Sequence, residues 1–213
     1  MKNITNIIQP LFALFAFACF ALAPQARAVC QQGCDTSNGN TFLGNDALIN
    51  NTTGVNNTAT GSVALLNNTT GFENTATGVN ALANNTEGSY NVAIGTSALI
   101  SNGTGSTNTA VGVQALFSNT TGFDNTAIGV NALFSNTEAS GNTVIGDYAM
   151  ELNTTGSDNT ADGEYALHAN TTGYFNTASG YEALFSNTEG FENTASGRHS
   201  RRIRSGPHSF RRK

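Results

Sequence analysis

The stretch NTTGFDNTAIGVNALFS, residues 119–135, decides how this chain is read, because it is said again and again. The seventeen residues before it are NGTGSTNTAVGVQALFS and the seventeen after it NTEASGNTVIGDYAMEL. Working outward, copies begin at Cys34, Asn51, Asn68, Asn85, Asn102, Asn119, Asn136, Asn153, Asn170 and Asn187 without an insertion, and the tenth stops after Gly197. The seventh position is Asn in every copy, from Asn40 to Asn193, and the eleventh is Gly, from Gly44 to Gly197. The fourteenth is Ala from Ala47 to Ala183, and the fifteenth is Leu except at Met150.

A pair of helices needs a longer repeat than this, and Asn, Thr and Gly are weak helix formers. A structureless tail has no reason to hold its register. A coil of β-strand explains the columns. Turns stacked about 4.8 Å apart bring equivalent residues into ladders. Stacked Asn side chains share amide hydrogen bonds, Thr, Val and Ile suit pleated strands, and Gly takes corners where backbones crowd.

The sequence therefore predicts an all-β fold, a parallel β-solenoid (β-roll) of about ten 17-residue turns. Asn74, Asn91, Asn108 and Asn125 form the structural ladder, with Gly78, Gly95, Gly112 and Gly129 at corners. NTAIG (125–129) and NALFS (131–135) read as two strands per turn, with Ala127 and Ala132 pointing inward. An interior of Ala and Thr is thin, which predicts a leftover apolar seam. Leu82, Leu99, Leu116 and Leu133 are assigned to it, with Phe72, Phe123 and Phe191 on a second ladder. The expected outcome is self-association, three chains sharing one axis.

A slower rhythm rides on the seventeen. The third position is Glu at Glu87, Glu138 and Glu189, once in three copies. Carboxylates three turns apart, about 14 Å, cannot share one ion whose ligands lie within about 3 Å. Duplication of a three-copy block accounts for them.

Composition bounds the rest. Charged residues are 11% of the 213-residue chain, hydrophobic residues 38%, and the net charge is −5, which is not the profile of a disordered chain. All fourteen acidic residues lie between Asp35 and Glu192, while seven of the nine basic residues occupy the last sixteen positions. Lys2, the apolar run of residues 11–23 and the small-x-small site ending at Ala28 read as a cleaved bacterial-type export signal. The run is too short for a membrane-spanning helix. Four regions follow: 1–28 signal peptide, 29–50 N-terminal cap and first repeat, 51–197 β-solenoid, and 198–213 basic tail. The tail breaks off inside a copy, where Arg198, His199, Ser200 and Arg201 replace the repeat vocabulary, and reads as a shifted frame or truncation. After signal removal Cys30 and Cys34 remain and are predicted to close a small disulfide loop.

NVAIG (91–95), NTAVG (108–112) and NTAIG (125–129), each followed by x-x-A, resemble the head repeats of trimeric autotransporter adhesins, the YadA-like or Hep/Hag repeats. The resemblance covers about residues 40–197, with an N-T-T-G segment lengthening each unit to seventeen. It implies a left-handed parallel β-roll that trimerises at the cell surface and binds host matrix or other cells; glycans are a further expected class of partner. No heptad run or barrel-strand tract follows Gly197, so the expectation is an exported head without an anchor of its own.

Catalytic patterns are missing from the sequence. His168, His199 and His208 are the only histidines. There is no HExxH, no phosphate-cradling Gly loop followed by Lys, and no base to activate a serine. The acidic body offers no basic patch for nucleic acid, and no metal or cofactor is expected. The chain is expected to be a structural and adhesive surface protein without catalysis. The alternatives are an ice-binding solenoid, on the Thr columns at Thr58, Thr75, Thr109 and Thr126, a phage-fibre-like structural solenoid, or a fragment of a longer adhesin.

Overall fold

The computed structural model describes residues 32–35 and 37–198, and every regular element among them is a strand. β1 (Gln32–Asp35) and β2 (Asn40–Leu43) are followed by nine strands of three residues each: β3 (Thr58–Thr60), β4 (Thr75–Thr77), β5 (Val92–Ile94), β6 (Thr109–Val111), β7 (Thr126–Ile128), β8 (Thr143–Ile145), β9 (Thr160–Asp162), β10 (Thr177–Ser179) and β11 (Thr194–Ser196). They form one sheet in sequence order. From β2 onward the pairing is parallel and each residue faces its equivalent one repeat away, as Thr109 faces Thr126 and Ala110 faces Ala127. The fold is a β-solenoid of about nine turns at seventeen-residue spacing.

Each turn has one strand, where two were expected. NALFS (131–135) is a turn, because Asn131 and Leu133 adopt φ of 54° and 56°, far from the extended values a strand needs. The equivalent residues of the other described turns do likewise, with φ between 49° and 64°. A left-handed L-residue costs roughly 1–2 kcal/mol. Two gains offset this at the fifteenth position: the Leu side chain is buried, and its amide bonds to the turn above, as Leu116 N donates to Ala132 O at 3.0 Å.

Inside the coil lie three apolar columns and two polar ones. Ala59, Ala76, Ala93, Ala110, Ala127 and Val144 line the inner face of the sheet, and the fourteenth and fifteenth positions complete the core opposite it. Strands β3 to β10 are buried only at their central residue; in β7, Ala127 is inaccessible while Thr126 and Ile128 face outward. At the eleventh position Gly95 and Gly112 have φ of 136° and 141°. A Cβ on Gly112 would collide with the carbonyl of Gly129, so only glycine lets successive corners nest.

The N-terminal end is closed. β1 runs antiparallel to β2 and opposes Gly33 to Phe42. Phe42 occupies the column that is Ala in most later turns and packs against the end of the core; a Cβ at Gly33 would strike its ring.

Candidate recognition surface

The asparagine ladder is the most fully satisfied part of the molecule. Asn108 donates Nδ2–H to Asn91 Oδ1 at 3.2 Å and to Gly122 O at 2.8 Å, and its own backbone N–H also reaches Asn91 Oδ1, at 3.0 Å. Its Oδ1 in turn accepts both the N–H and the Nδ2–H of Asn125. Asn74, Asn91 and Asn125 repeat the pattern, all with no exposed surface. A second ladder runs through the first repeat position, where Asn119 donates to Asn102 Oδ1 at 2.8 Å and to Gly122 O at 3.0 Å. The Gly122 carbonyl thus takes amides from both ladders. Asn102, Asn119, Asn153 and Asn170 of this ladder each begin an Asn-x-Thr triplet, a glycosylation sequon by pattern, and their Nδ2 atoms are buried and engaged. This second ladder was not singled out from the sequence, although its near-constant Asn was visible there.

The leucine column is a correction. Leu82, Leu99, Leu116 and Leu133 are all 0% exposed; they fill their own coil and cannot be an outward seam. The left-handed backbone at this position turns the side chain inward, which strand alternation did not anticipate. The apolar surface lies elsewhere. On the outer face of the sheet, Leu43, Ile94, Ile128 and Ile145 are exposed at the tenth position, and past the glycine corner, in the turn, Val79, Val113 and Val130 are exposed at the twelfth. Phe72 and Phe123 stay exposed as expected, at 36% and 54%, while Phe191 is partly covered by a stacked Tyr174 at 5.1 Å.

Threonine occurs in two kinds of column. At the second position the hydroxyl is structural: Thr120 Oγ1 donates to Thr137 O at 3.0 Å and Thr86 Oγ1 to Gly103 O at 3.0 Å. The backbone N–H groups of Thr120, Thr121 and Gly122 converge on that same Thr137 carbonyl. At the eighth position Thr75, Thr109, Thr126, Thr143 and Thr160 point away from the core on the sheet face, and their hydroxyls bond to no other described residue. In β3 and β4 a second threonine joins this face, as Thr58 with Thr60 and Thr75 with Thr77.

Towards the C-terminal turns a separate face gathers aromatic and acidic groups. Tyr148 and Tyr165 stack at 5.2 Å, and His168 stacks on Phe185 at 4.9 Å while meeting Glu151 at 2.8 Å. Desolvation by these neighbours, then the charges of Tyr148, Glu164, Glu151 and Asp147, push the Tyr165 phenol above its usual range. At Tyr181 the Glu182 carboxylate is the leading cause of a rise in the same direction. Arg198 lies 5.8 Å over the Tyr181 ring and is the only Lys or Arg among the described residues.

Glu87, Glu138 and Glu189 are exposed at the third position, and no group of three His, Cys, Asp or Glu residues that could hold a metal occurs among the described residues. Among the same residues no helix is long and apolar enough to cross a membrane. The export signal, Cys30 of the expected Cys30–Cys34 pairing and the tail beyond Arg198 lie outside the described residues. No protein-family model, curated protein or solved structure matches this chain.

Proposed function

We propose that the chain is an exported, cell-surface or extracellular β-solenoid whose work is adhesive recognition. The supporting observation is the division of labour within each turn. Inward positions are committed to ladders and core, while outward positions present the same kinds of side chain at about 4.8 Å intervals. Such an array offers many equivalent weak contacts, and avidity multiplies them against a repetitive target such as host matrix or another cell surface. The resemblance of NTAIG-type segments to adhesin head repeats supports the same reading.

The active form is a homotrimer, held by the apolar part of the sheet face around Ile94, Val111, Ile128 and Ile145. Exposed apolar columns of this kind mark interfaces. Beads coated with the full chain should adhere to matrix- or cell-coated surfaces, and sedimentation equilibrium should give three times the chain mass. Ile128→Glu should shift that mass to a monomer. Uncoated-bead levels of adhesion would sink the adhesive reading, and a monomer at tens of micromolar the trimer. The export signal predicts that the secreted chain begins at Val29, which N-terminal sequencing reads directly.

One observation favours a second reading. The unengaged threonine hydroxyls of the eighth position, with Thr60 and Thr77 beside them, make a regular hydroxyl and methyl array suited to ice. Thermal hysteresis measured on concentrated full chain decides it, and none at millimolar protein removes it.

A further inference from the structure

We propose that the corner built from the third, fifth and sixth repeat positions is a row of three related subsites for a linear, uncharged glycan. This deepens the adhesive reading and rests on it.

At the fifth position the aromatic residues are Phe72, Phe123, Tyr174 and Phe191. The first three are each separated by three turns, with Ser89 and Ser106 in the first interval and Ser140 and Ser157 in the second. Phe72, Phe123 and Tyr174 are 36%, 54% and 42% exposed. The turn after each carries a glutamate at the third position, Glu87, Glu138 and Glu189 respectively, and all three are exposed. The glutamate rhythm and the aromatic rhythm are therefore one module, an aromatic ring with a carboxylate on the next turn, recurring about every 14 Å along the coil.

The backbone under two of these rings is fixed in advance. Phe72 N donates to Ser89 Oγ at 3.1 Å and Phe123 N to Ser140 Oγ at 3.0 Å. A ring held on such a corner loses little freedom when it is covered. Tyr90 adds a second ring edge-on to Phe72 at 5.0 Å, and Phe175 does so beside Tyr174 at 5.5 Å.

The chemistry selects a sugar over a protein. A stable protein interface needs roughly 800 Å² per partner with a contiguous apolar centre. Here a lone ring at Phe123 and small ring groups at Phe72 and Tyr174 stand about three turns apart, with serine, threonine and carboxylate between them. A pyranose presents an apolar C–H face, which packs on an aromatic ring, and equatorial hydroxyls, which donate to a carboxylate in a charge-assisted hydrogen bond. The charge selects among sugars. Arg198 is the only Lys or Arg among the described residues, so the corner itself carries no cation to hold a sulfated or sialylated chain. Three modules in line favour a chain long enough to span them.

Titration calorimetry and saturation-transfer NMR of the full chain with cellohexaose and chitohexaose, with heparin in parallel, test the site. Saturable binding of a neutral hexaose is expected, while any heparin drawn by the basic residues beyond Arg198 should bind the parent and the triple variant below equally. Phe123→Ala should raise Kd about fivefold, the size of one aromatic contact, and Glu138→Gln about threefold as one charge-assisted hydrogen bond becomes neutral. The triple change Phe72→Ala, Phe123→Ala, Tyr174→Ala should abolish binding, while Leu152→Ser, at an exposed seventeenth position, should leave it unchanged. Circular dichroism confirms that each variant keeps its β-signal. Binding of neither hexaose, unchanged binding by the triple variant, or binding of heparin in their place overturns the proposal. Beads that adhere to cells although no hexaose binds would remove the glycan corner and leave the adhesive reading standing.

Discussion

Two threonine ladders climb this coil, and they behave oppositely. At the corner, Thr86 and Thr120 turn their hydroxyls into the stack and hold the carbonyl of the next turn. On the sheet, Thr109 and Thr126 carry the same group outward and leave it unengaged within the described chain. Residue type and spacing are identical in the two ladders. The difference comes from the backbone beneath them: a corner whose amides converge on one carbonyl, against a pleat that alternates in and out. Repetition therefore says that a position matters without saying whether it builds the coil or faces a partner.

Mutations across that divide should separate by size. The largest effect is expected inside. Asn108→Asp replaces two buried donors by an acceptor facing Asn91 Oδ1 and Gly122 O, and brings a charge into the core. A loss of about 3–5 kcal/mol in urea unfolding is expected. Burial raises the folded-state pKa of the introduced carboxyl above its unfolded value, so the penalty should shrink as pH falls through that raised pKa. A loss below about 1 kcal/mol at neutral pH would show that the ladder contributes little beyond register.

Leu116→Ala should follow at about 3 kcal/mol, the cost of a cavity in a core that cannot collapse. It also tests the revised placement of the leucine column, since an exposed leucine would cost well under 1 kcal/mol. Thr120→Val should cost about 1 kcal/mol by removing the hydrogen bond to Thr137 O. Thr126→Val should change stability by less than about 0.5 kcal/mol, because no described residue bonds to its hydroxyl. Equal effects of the last two substitutions on thermal unfolding would erase the distinction between the ladders.

Much of this was legible in the sequence for one reason: a stack enforces identity along its axis. Asn at the seventh position and Gly at the eleventh were readable as ladder and corner because few other side chains satisfy those constraints ten times over. NALFS was misread because leucine seldom adopts a left-handed backbone, and local preference gives no hint that Leu133 does so at φ 56°. That same error moved the leucines outward on paper when the fold buries them. The aromatic and carboxylate module escaped notice because its members stand in different turns and at different positions, so that only stacking makes them neighbours.

The sequence by itself determined the period, the parallel register, the small inward residues and the uncharged, polar character of the columns, since these follow from the demand that each turn fit on its equals. The tertiary structure alone decided which face the leucine, threonine and outer apolar columns occupy. That choice rests on the paired left-handed residues at the thirteenth and fifteenth positions, whose cost is offset by buried leucine and inter-turn hydrogen bonds that exist only once the turns are stacked.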